Sequence, residues 1–322
     1  MKKRNLMPLF FVVVLFTNLI FIAGCQTKGT QKQTSQVQFH VGSQGLVMNF
    51  VPNAPPNRVY HTDPSALDVR VEIKNRGALT VQPGDVFFIL EGYDPNIMPF
   101  LEYQQQNPKQ EIPGKSALNP VEGIDFITWN NPPTINLPSV SDVYRPILQV
   151  RSCYRYKTEA SPTVCIDPQP YATVPTSKIC IVSDQTLSGG QGAPIAVTRI
   201  EETILGAGDQ SALKRAQFKI TASNVGGGRV VKFDTLQKCI NNKLEYDEFN
   251  KVEVEAYIGN TRLECNPNTI SLLTNNQGFT FCTYSDIRSD AAYTTPLQII
   301  LSYGYSQTIQ KSVEIVRTPG VK

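Results

Sequence analysis

Short runs of alternating apolar and polar residues recur along most of the chain, and turn-forming residues separate them. Clear examples are LDVRVEIKNRG at 67–77, AQFKITASNVG at 216–226 and KVEVEAYIG at 251–259. Alternation with period two, rich in Val, Ile, Phe and Tyr, is typical of strands with one buried face. The 23 prolines and 21 glycines fit the turns between them. The pattern predicts an all-β fold, with one helical turn at QSALKRA, 210–216.

The runs occur twice in the same order, which indicates duplication of one unit. VEIKNRG at 71–77 aligns with ITASNVG at 220–226, and LQVRSCYRYKTEASPTVCI at 148–166 aligns with LQIILSYGYSQTIQKSVEI at 297–315. In each copy 81 positions separate the Asn of the first run from the last Tyr of the Tyr-x-Tyr motif.

A third match aligns GIDFITW at 123–129 with GFTFCTY at 278–284, so that Trp129 corresponds to Tyr284. The glycine-rich segment DQTLSGGQGAP at 184–194 separates the copies and places a domain boundary near residue 187.

Each copy has the strand count and turn spacing of an antiparallel β-sandwich of immunoglobulin type. The Asn-x-Gly turns and the Tyr-x-Tyr strand resemble the immunoglobulin-like modules, of the CARDB kind, of archaeal and bacterial surface proteins. The opening at 39–60, FHVGSQGLVMNFVPNAPPNRVY, is similar to the start of archaeal surface proteins. The resemblance implies two tandem domains on the cell surface and carries no catalytic residues. We call 37–187 copy one, which has an insertion at 93–123, and 188–322 copy two.

The N-terminus predicts export and a lipid anchor. MKKR precedes an apolar run, and residues 22–25, IAGC, resemble the lipobox of prokaryotic lipoproteins. That resemblance implies that residues 1–24 are a signal segment, removed before acylation of Cys25. A plain cleaved signal and a retained membrane anchor are the alternatives. Residues 25–36 are too polar to fold and predict a disordered tether at the outer face of the cytoplasmic membrane.

Charge disfavours nucleic acid as a partner. Three of the 30 Lys and Arg residues precede Cys25, which leaves 27 against 27 Asp and Glu. A balanced surface has no long-range field that would attract phosphates.

Seven cysteines are an odd number, and Cys25 accounts for the odd one. The other six predict three disulfides in an oxidising compartment. A hairpin turn centred on Glu159 would set Cys153 opposite Cys165, and Cys265 and Cys282 flank a second hairpin. The remaining pair, Cys180 and Cys239, would then join the two domains.

The sequence contains no nucleophile, base or metal motif that indicates an enzyme, and no cofactor is predicted. His40 and His61 are expected at the surface. Asp247 and Glu248 lie in the acidic run LEYDEFNKVEVE, which lacks the spacing of an EF-hand loop and predicts a solvated charged loop. A calcium-dependent enzyme using these two residues is the least favoured hypothesis.

We therefore predict a lipid-anchored structural or adhesion module of the cell envelope that binds a protein partner through loops. The candidate interaction site is an apolar cluster in the 93–123 insertion: Ile97, Met98, Phe100 and Leu101. The alternative is a lipoprotein that binds a glycan or small ligand through that insertion and through Trp129, the only tryptophan. Trp129 would then stack on a sugar, although a place in the sandwich core is favoured for it.

Overall fold

The computed structural model describes residues 39–99, 105–130, 132–172, 178–206, 214–285, 287 and 289–320. The predicted signal segment, Cys25 and the predicted tether lie outside the described residues, as does most of the predicted helical turn at 210–216. Its last two residues begin a strand. Gln38–Lys322 form one compact unit.

The all-β prediction is confirmed. Twenty strands make up the described part of the chain: β1 Leu46–Phe50, β2 Arg58–Tyr60, β3 Val69–Asn75, β4 Val86–Glu91, β5 Gln105–Gln106, β6 Gly123–Trp129, β7 Val143–Tyr144, β8 Ile147–Ala160, β9 Thr163–Ile166, β10 Gln185–Thr186, β11 Ile195–Leu205, β12 Arg215–Asn224, β13 Arg229–Val231, β14 Lys251–Ile258, β15 Thr261–Arg262, β16 Glu264–Asn266, β17 Thr269–Ser271, β18 Gln277–Tyr284, β19 Tyr293–Ser312 and β20 Glu314–Val316. The same part has one short α-helix, α1, at Leu236–Ile240.

The strands form four sheets. The largest has the order β15-β14-β19-β8-β4-β5, with β9, β13 and β17 also paired to it. Copy one adds the sheet β1-β3-β6, and copy two, together with β10 at the end of copy one, adds β10-β11-β12-β18-β16. These three sheets contribute to one hydrophobic cluster, because the inward residues of their alternating strands are apolar. The fourth sheet is β2-β20-β7.

The two copies meet at the antiparallel pair β8 and β19. Tyr154 lies opposite Tyr305, and Tyr156 lies opposite Tyr303. Since the Tyr-x-Tyr motifs are equivalent in the repeat, the copies are related by a local two-fold axis between these strands. The rings pack at a tilt in the core, at centroid distances of 5.7 Å for Tyr154 and Tyr305 and 6.4 Å for Tyr156 and Tyr303.

In each copy, the short strand that follows the Tyr-x-Tyr strand pairs with a strand of the other copy. In β9, Cys165 lies opposite Thr294 of β19, and in β20, Ile315 lies opposite Tyr144 of β7. The hairpin predicted to close copy one is therefore wrong. Strand β8 continues through Glu159 to Ala160, because β19 offers it a pairing partner along its whole length.

Two of the predicted disulfides are corrected for the same reason. The structure joins Cys153 to Cys239 and Cys165 to Cys180, not Cys153 to Cys165 and Cys180 to Cys239. Cys153 faces away from the tyrosine core, where it packs with Ile89 and α1 in a second apolar cluster. The bridge from Cys153 to Cys239 thus joins copy one to copy two. Cys265 and Cys282 lie opposite each other on β16 and β18 and form the predicted pair.

Strand register also corrects the third repeat match. Trp129 pairs with the residue six positions before Asn75, and Cys282 pairs with the residue six positions before Asn224. Trp129 therefore corresponds to Cys282 rather than to Tyr284. The two-residue slip keeps the same face of the strand inward.

Candidate functional site

A large cleft in the described part of the chain lies where copy one meets copy two. We call it the major cleft; its volume is about 700 Å³. Strand β1 of copy one forms one wall, the loop 224–229 of copy two forms the other, and Ser306, Gln307 and Thr308 of β19 line it between them.

In the loop 224–229, NVGGGR, two of the glycines lie so close to β19 that a larger side chain would not fit. A Cβ on Gly226 would lie 2.4 Å from the Tyr305 hydroxyl, and one on Gly228 would lie 2.6 Å from the Ser306 carbonyl oxygen. Both separations are shorter than any normal contact. A Cβ on Gly227 meets nothing within 4 Å, so this residue faces open space.

A buried hydrogen-bond network fixes that loop. The Tyr305 hydroxyl accepts a 2.8 Å bond from the Gly228 N–H and donates a 3.0 Å bond to Asn224 Oδ1. Asn224 Nδ2 donates to the Gly228 carbonyl at 3.0 Å. Burial raises the pKa of Tyr305, which keeps the hydroxyl protonated as a donor.

A second network joins the copies beside the cleft. Gln307 Nε2 donates to the Tyr154 hydroxyl at 3.0 Å and to the Leu46 carbonyl at 3.2 Å. On the other side of the two-fold axis, Thr158 bonds to the Tyr303 hydroxyl and the Ile195 carbonyl at 2.9 and 2.6 Å. Because β1 is bonded to β19 in this way, the two walls of the major cleft are held in a fixed relation.

The major cleft exposes polar groups that have no bond elsewhere in the described part of the chain. The Asn250 and Asn276 side-chain amides have no hydrogen-bond partner there, and both residues adopt left-handed backbone, with φ of 57° and 61°. The Arg229 guanidinium stacks on Phe249 at 5.8 Å and has no ion pair there. Arg151, by contrast, is held by Glu91 and the Cys239 carbonyl.

The charge of the major cleft is positive. Its lining contains Arg151 and Arg229 and no Asp or Glu. Amide and hydroxyl groups around a cation can bind a ligand that carries hydroxyls and a negative charge, since each ligand group then has a partner of opposite polarity.

The local two-fold axis relates this cleft to a smaller one of about 280 Å³. Ala78 and Leu79 stand there at the positions of Gly227 and Gly228, and Lys157 and Glu159 stand at the positions of Ser306 and Thr308. Larger side chains at equivalent positions explain the smaller volume. The major cleft is therefore the larger of the two equivalent clefts because its lining has smaller residues at these positions.

The predicted interaction cluster is buried where it is described. Met98 and Trp129 are 0% and 2% exposed, and Ile97 is partly buried against the core. The prediction of an exposed binding surface is therefore wrong for Met98 and Trp129, which are buried in the core; Trp129 takes the favoured core position. Phe100 and Leu101 lie outside the described residues.

The acidic run has its own partners. Lys238 Nζ lies 2.5 Å from Glu248 and 3.1 Å from Glu245. The backbone N–H of Glu245, with Lys238, lowers the pKa of Glu248. Asp247 lies in the 3-10 turn Tyr246–Glu248. His40 lines the smaller cleft, and His61 Nδ1 accepts a bond from the Thr318 N–H.

Sequence reasoning missed one further site, a cavity of about 440 Å³ beside β11. Glu202 lines it and is only 9% exposed, and neither carboxylate oxygen has a hydrogen-bond partner among the described residues. The signal was visible in the alternation of β11, since Glu202 interrupts the inward apolar face between Ile200 and Ile204.

No protein-family model and no curated protein matches the sequence. In the described part of the chain, no helix is long and apolar enough to cross a membrane, and no three His, Cys, Asp or Glu residues gather as metal ligands.

Proposed function

We propose that the protein is a membrane-anchored adhesion module of the cell envelope and that it binds an acidic glycan in the major cleft. Each copy would be an immunoglobulin-like β-sandwich, and the two would act as a single scaffold. The observation that carries the proposal is the difference between the two equivalent clefts. The one with glycine, serine and threonine is open and positive, and the other is small.

The chemistry of the major cleft favours a sugar over an apolar ligand. Asn250 and Asn276 offer amide donors and acceptors for hydroxyl groups, and Arg229 offers a planar cation for a carboxylate, sulfate or phosphate. A volume of about 700 Å³ lies in the usual range for small-ligand sites.

A glycan array probed with the full-length protein in detergent tests the binding. We expect acidic glycans to bind and their neutral counterparts to bind weakly. Arg229→Gln should weaken binding about tenfold or more, because it removes the unpaired cation. Arg215→Gln, which alters an exposed cation outside the cleft, is the matched control. Binding that ignores the charge of the glycan, or that survives Arg229→Gln, would contradict the proposal.

Cysteine use supports the proposed anchor. All six cysteines after Cys25 are paired, so Cys25 is the one left for acylation. Disulfides also fit an oxidising compartment outside the cytoplasm. The intact mass of the membrane-extracted protein tests this. Residues 25–322 plus acyl chains are expected, and Cys25→Ser should abolish that species; a mass that begins at residue 1 would contradict cleavage.

A protein partner is the second candidate function, favoured by apolar residues on an outer sheet face. Ile124 and Phe126 of β6 are 54% and 52% exposed, and Phe279 of β18, at the position of Phe126, is 47% exposed. Capture of an envelope protein by the wild type, lost in Phe126→Ser with Phe279→Ser, would support it. Equal capture by both would contradict it.

A further inference from the structure

The cavity beside β11 holds a buried negative charge that nothing in the described chain neutralises. Asp167 and Lys178 also line this cavity, and Lys178 Nζ lies 2.6 Å from Asp167 Oδ2. The charges of Lys178 and Asp167 neutralise each other, so ionised Glu202 gives the cavity one net negative charge. We call this space the Glu202 cavity.

Three cations near Glu202, on Lys178, Arg199 and Lys219, are each paired with another carboxylate. Arg199 and Lys219 both pair with Glu201, which faces the opposite side of β11. Lys178 gives its remaining described bond to the Gln169 carbonyl at 2.5 Å. An unpaired carboxylate inside a protein is costly unless a cation meets it.

Two exposed side chains with large apolar surfaces line the Glu202 cavity. Tyr171 and Ile181 line it and are 75% and 80% exposed, and Val182 packs against the core beneath them. The disulfide between Cys165 and Cys180 closes the segment that carries Tyr171. An aromatic face near a carboxylate favours a cation, and aliphatic walls favour a ligand with an apolar stem.

We propose that the Glu202 cavity binds a primary ammonium group carried on an alkyl stem, with the ammonium at Glu202 and the stem between Tyr171 and Ile181. A free alkylamine and a lysine side chain of another protein share this chemistry. A metal ion is a poorer fit, because no third acidic, histidine or cysteine ligand joins Glu202 and Asp167 in the described residues.

Calorimetric titration of the full-length protein with n-pentylammonium chloride, at about pH 8 where Glu202 is ionised, tests this. We expect saturable binding, and no binding of pentan-1-ol, which has the stem without the charge. Glu202→Gln should weaken binding about tenfold or more. Glu201→Gln, one residue away on the other face, is the matched control.

Two further measurements keep the test decisive. Tyr171→Ala changes an exposed side chain and should weaken binding without lowering the melting temperature. This variant therefore still tests the proposal if Glu202→Gln fails to fold. N-acetyl-lysine amide separates the two sources: if a protein lysine is the ligand it should bind and its Nε-acetylated form should not, whereas binding of n-pentylammonium alone indicates a free alkylamine. Equal binding of alcohol and amine, wild-type affinity in Glu202→Gln, or no binding of either ammonium probe would overturn the proposal.

Discussion

The Tyr305 hydroxyl donates a 3.0 Å hydrogen bond to Asn224 Oδ1, 81 positions earlier, and Tyr156 stands in the same relation to Asn75 at 3.4 Å. The two residues that are separated by 81 positions in each copy are therefore in contact in the fold. In each copy the tyrosine binds the turn that follows the asparagine, and in copy two that turn is a wall of the major cleft.

Loss of the Tyr305 hydroxyl should destabilise the protein. Tyr305→Phe leaves the Gly228 N–H and Asn224 without their partner, which costs about 1–3 kcal/mol of unfolding free energy. Urea denaturation measures this. Tyr246→Phe, at a tyrosine that is 96% exposed, should change nothing. Equal midpoints for both variants would show that the network contributes no stability.

The disulfide between the copies should contribute more stability than the local one. Cys153 and Cys239 are 86 residues apart, whereas Cys165 and Cys180 are 15 apart. Closing the longer loop restricts the unfolded chain more, about 4–5 kcal/mol against about 3 kcal/mol. Denaturation of the two double Cys→Ala variants compares them.

A peptide map without reduction is the control for that comparison. It should recover the Cys153 peptide joined to the Cys239 peptide. A Cys153 peptide joined to the Cys165 peptide would contradict the shared-sheet arrangement.

Glu202 should make stability fall as pH rises. Burial raises the pKa of Glu202 from 4.5 to about 7. The nearby backbone of Cys165 lowers this pKa by a smaller amount, although it forms no hydrogen bond with the carboxylate. The folded state therefore holds a proton that the unfolded state loses. The resulting stabilisation is complete below about pH 4.5 and is lost as pH rises through about 7.

Glu202→Gln should remove this dependence. The variant should match the wild type at about pH 4 and exceed it by roughly 3 kcal/mol at about pH 8. Carboxylates with a lowered pKa, such as Glu91 beside the Arg151 guanidinium, are present in both proteins. Their pH dependence therefore drops out of the difference in unfolding free energy between the variant and the wild type. Asp167 and Lys178, the charged groups that face Glu202, are the same in both proteins. A constant difference across this range would contradict a raised pKa.

Local pattern was enough to predict the strands and the pair Cys265–Cys282, because period-two alternation and short hairpins are local properties. It failed at β8, where a turn at Glu159 is locally reasonable but a partner strand from the other copy competes for the same edge. Cys153 and Cys165 were misassigned as a consequence. The major cleft was missed because its lining is brought together from β1, the NVGGGR loop and β19, which are far apart in the sequence.

Steric blocking of the major cleft tests most directly whether the ligand binds there. Gly227 faces open space in the cleft, and Gly84 faces open space elsewhere. Gly227→Phe should therefore fill the cleft without strain, and Gly84→Phe is its matched control. Titration with an acidic glycan from the array should show binding lost in Gly227→Phe at an unchanged melting temperature, and wild-type binding in Gly84→Phe. Wild-type affinity in a folded Gly227→Phe variant would mean that the ligand binds elsewhere.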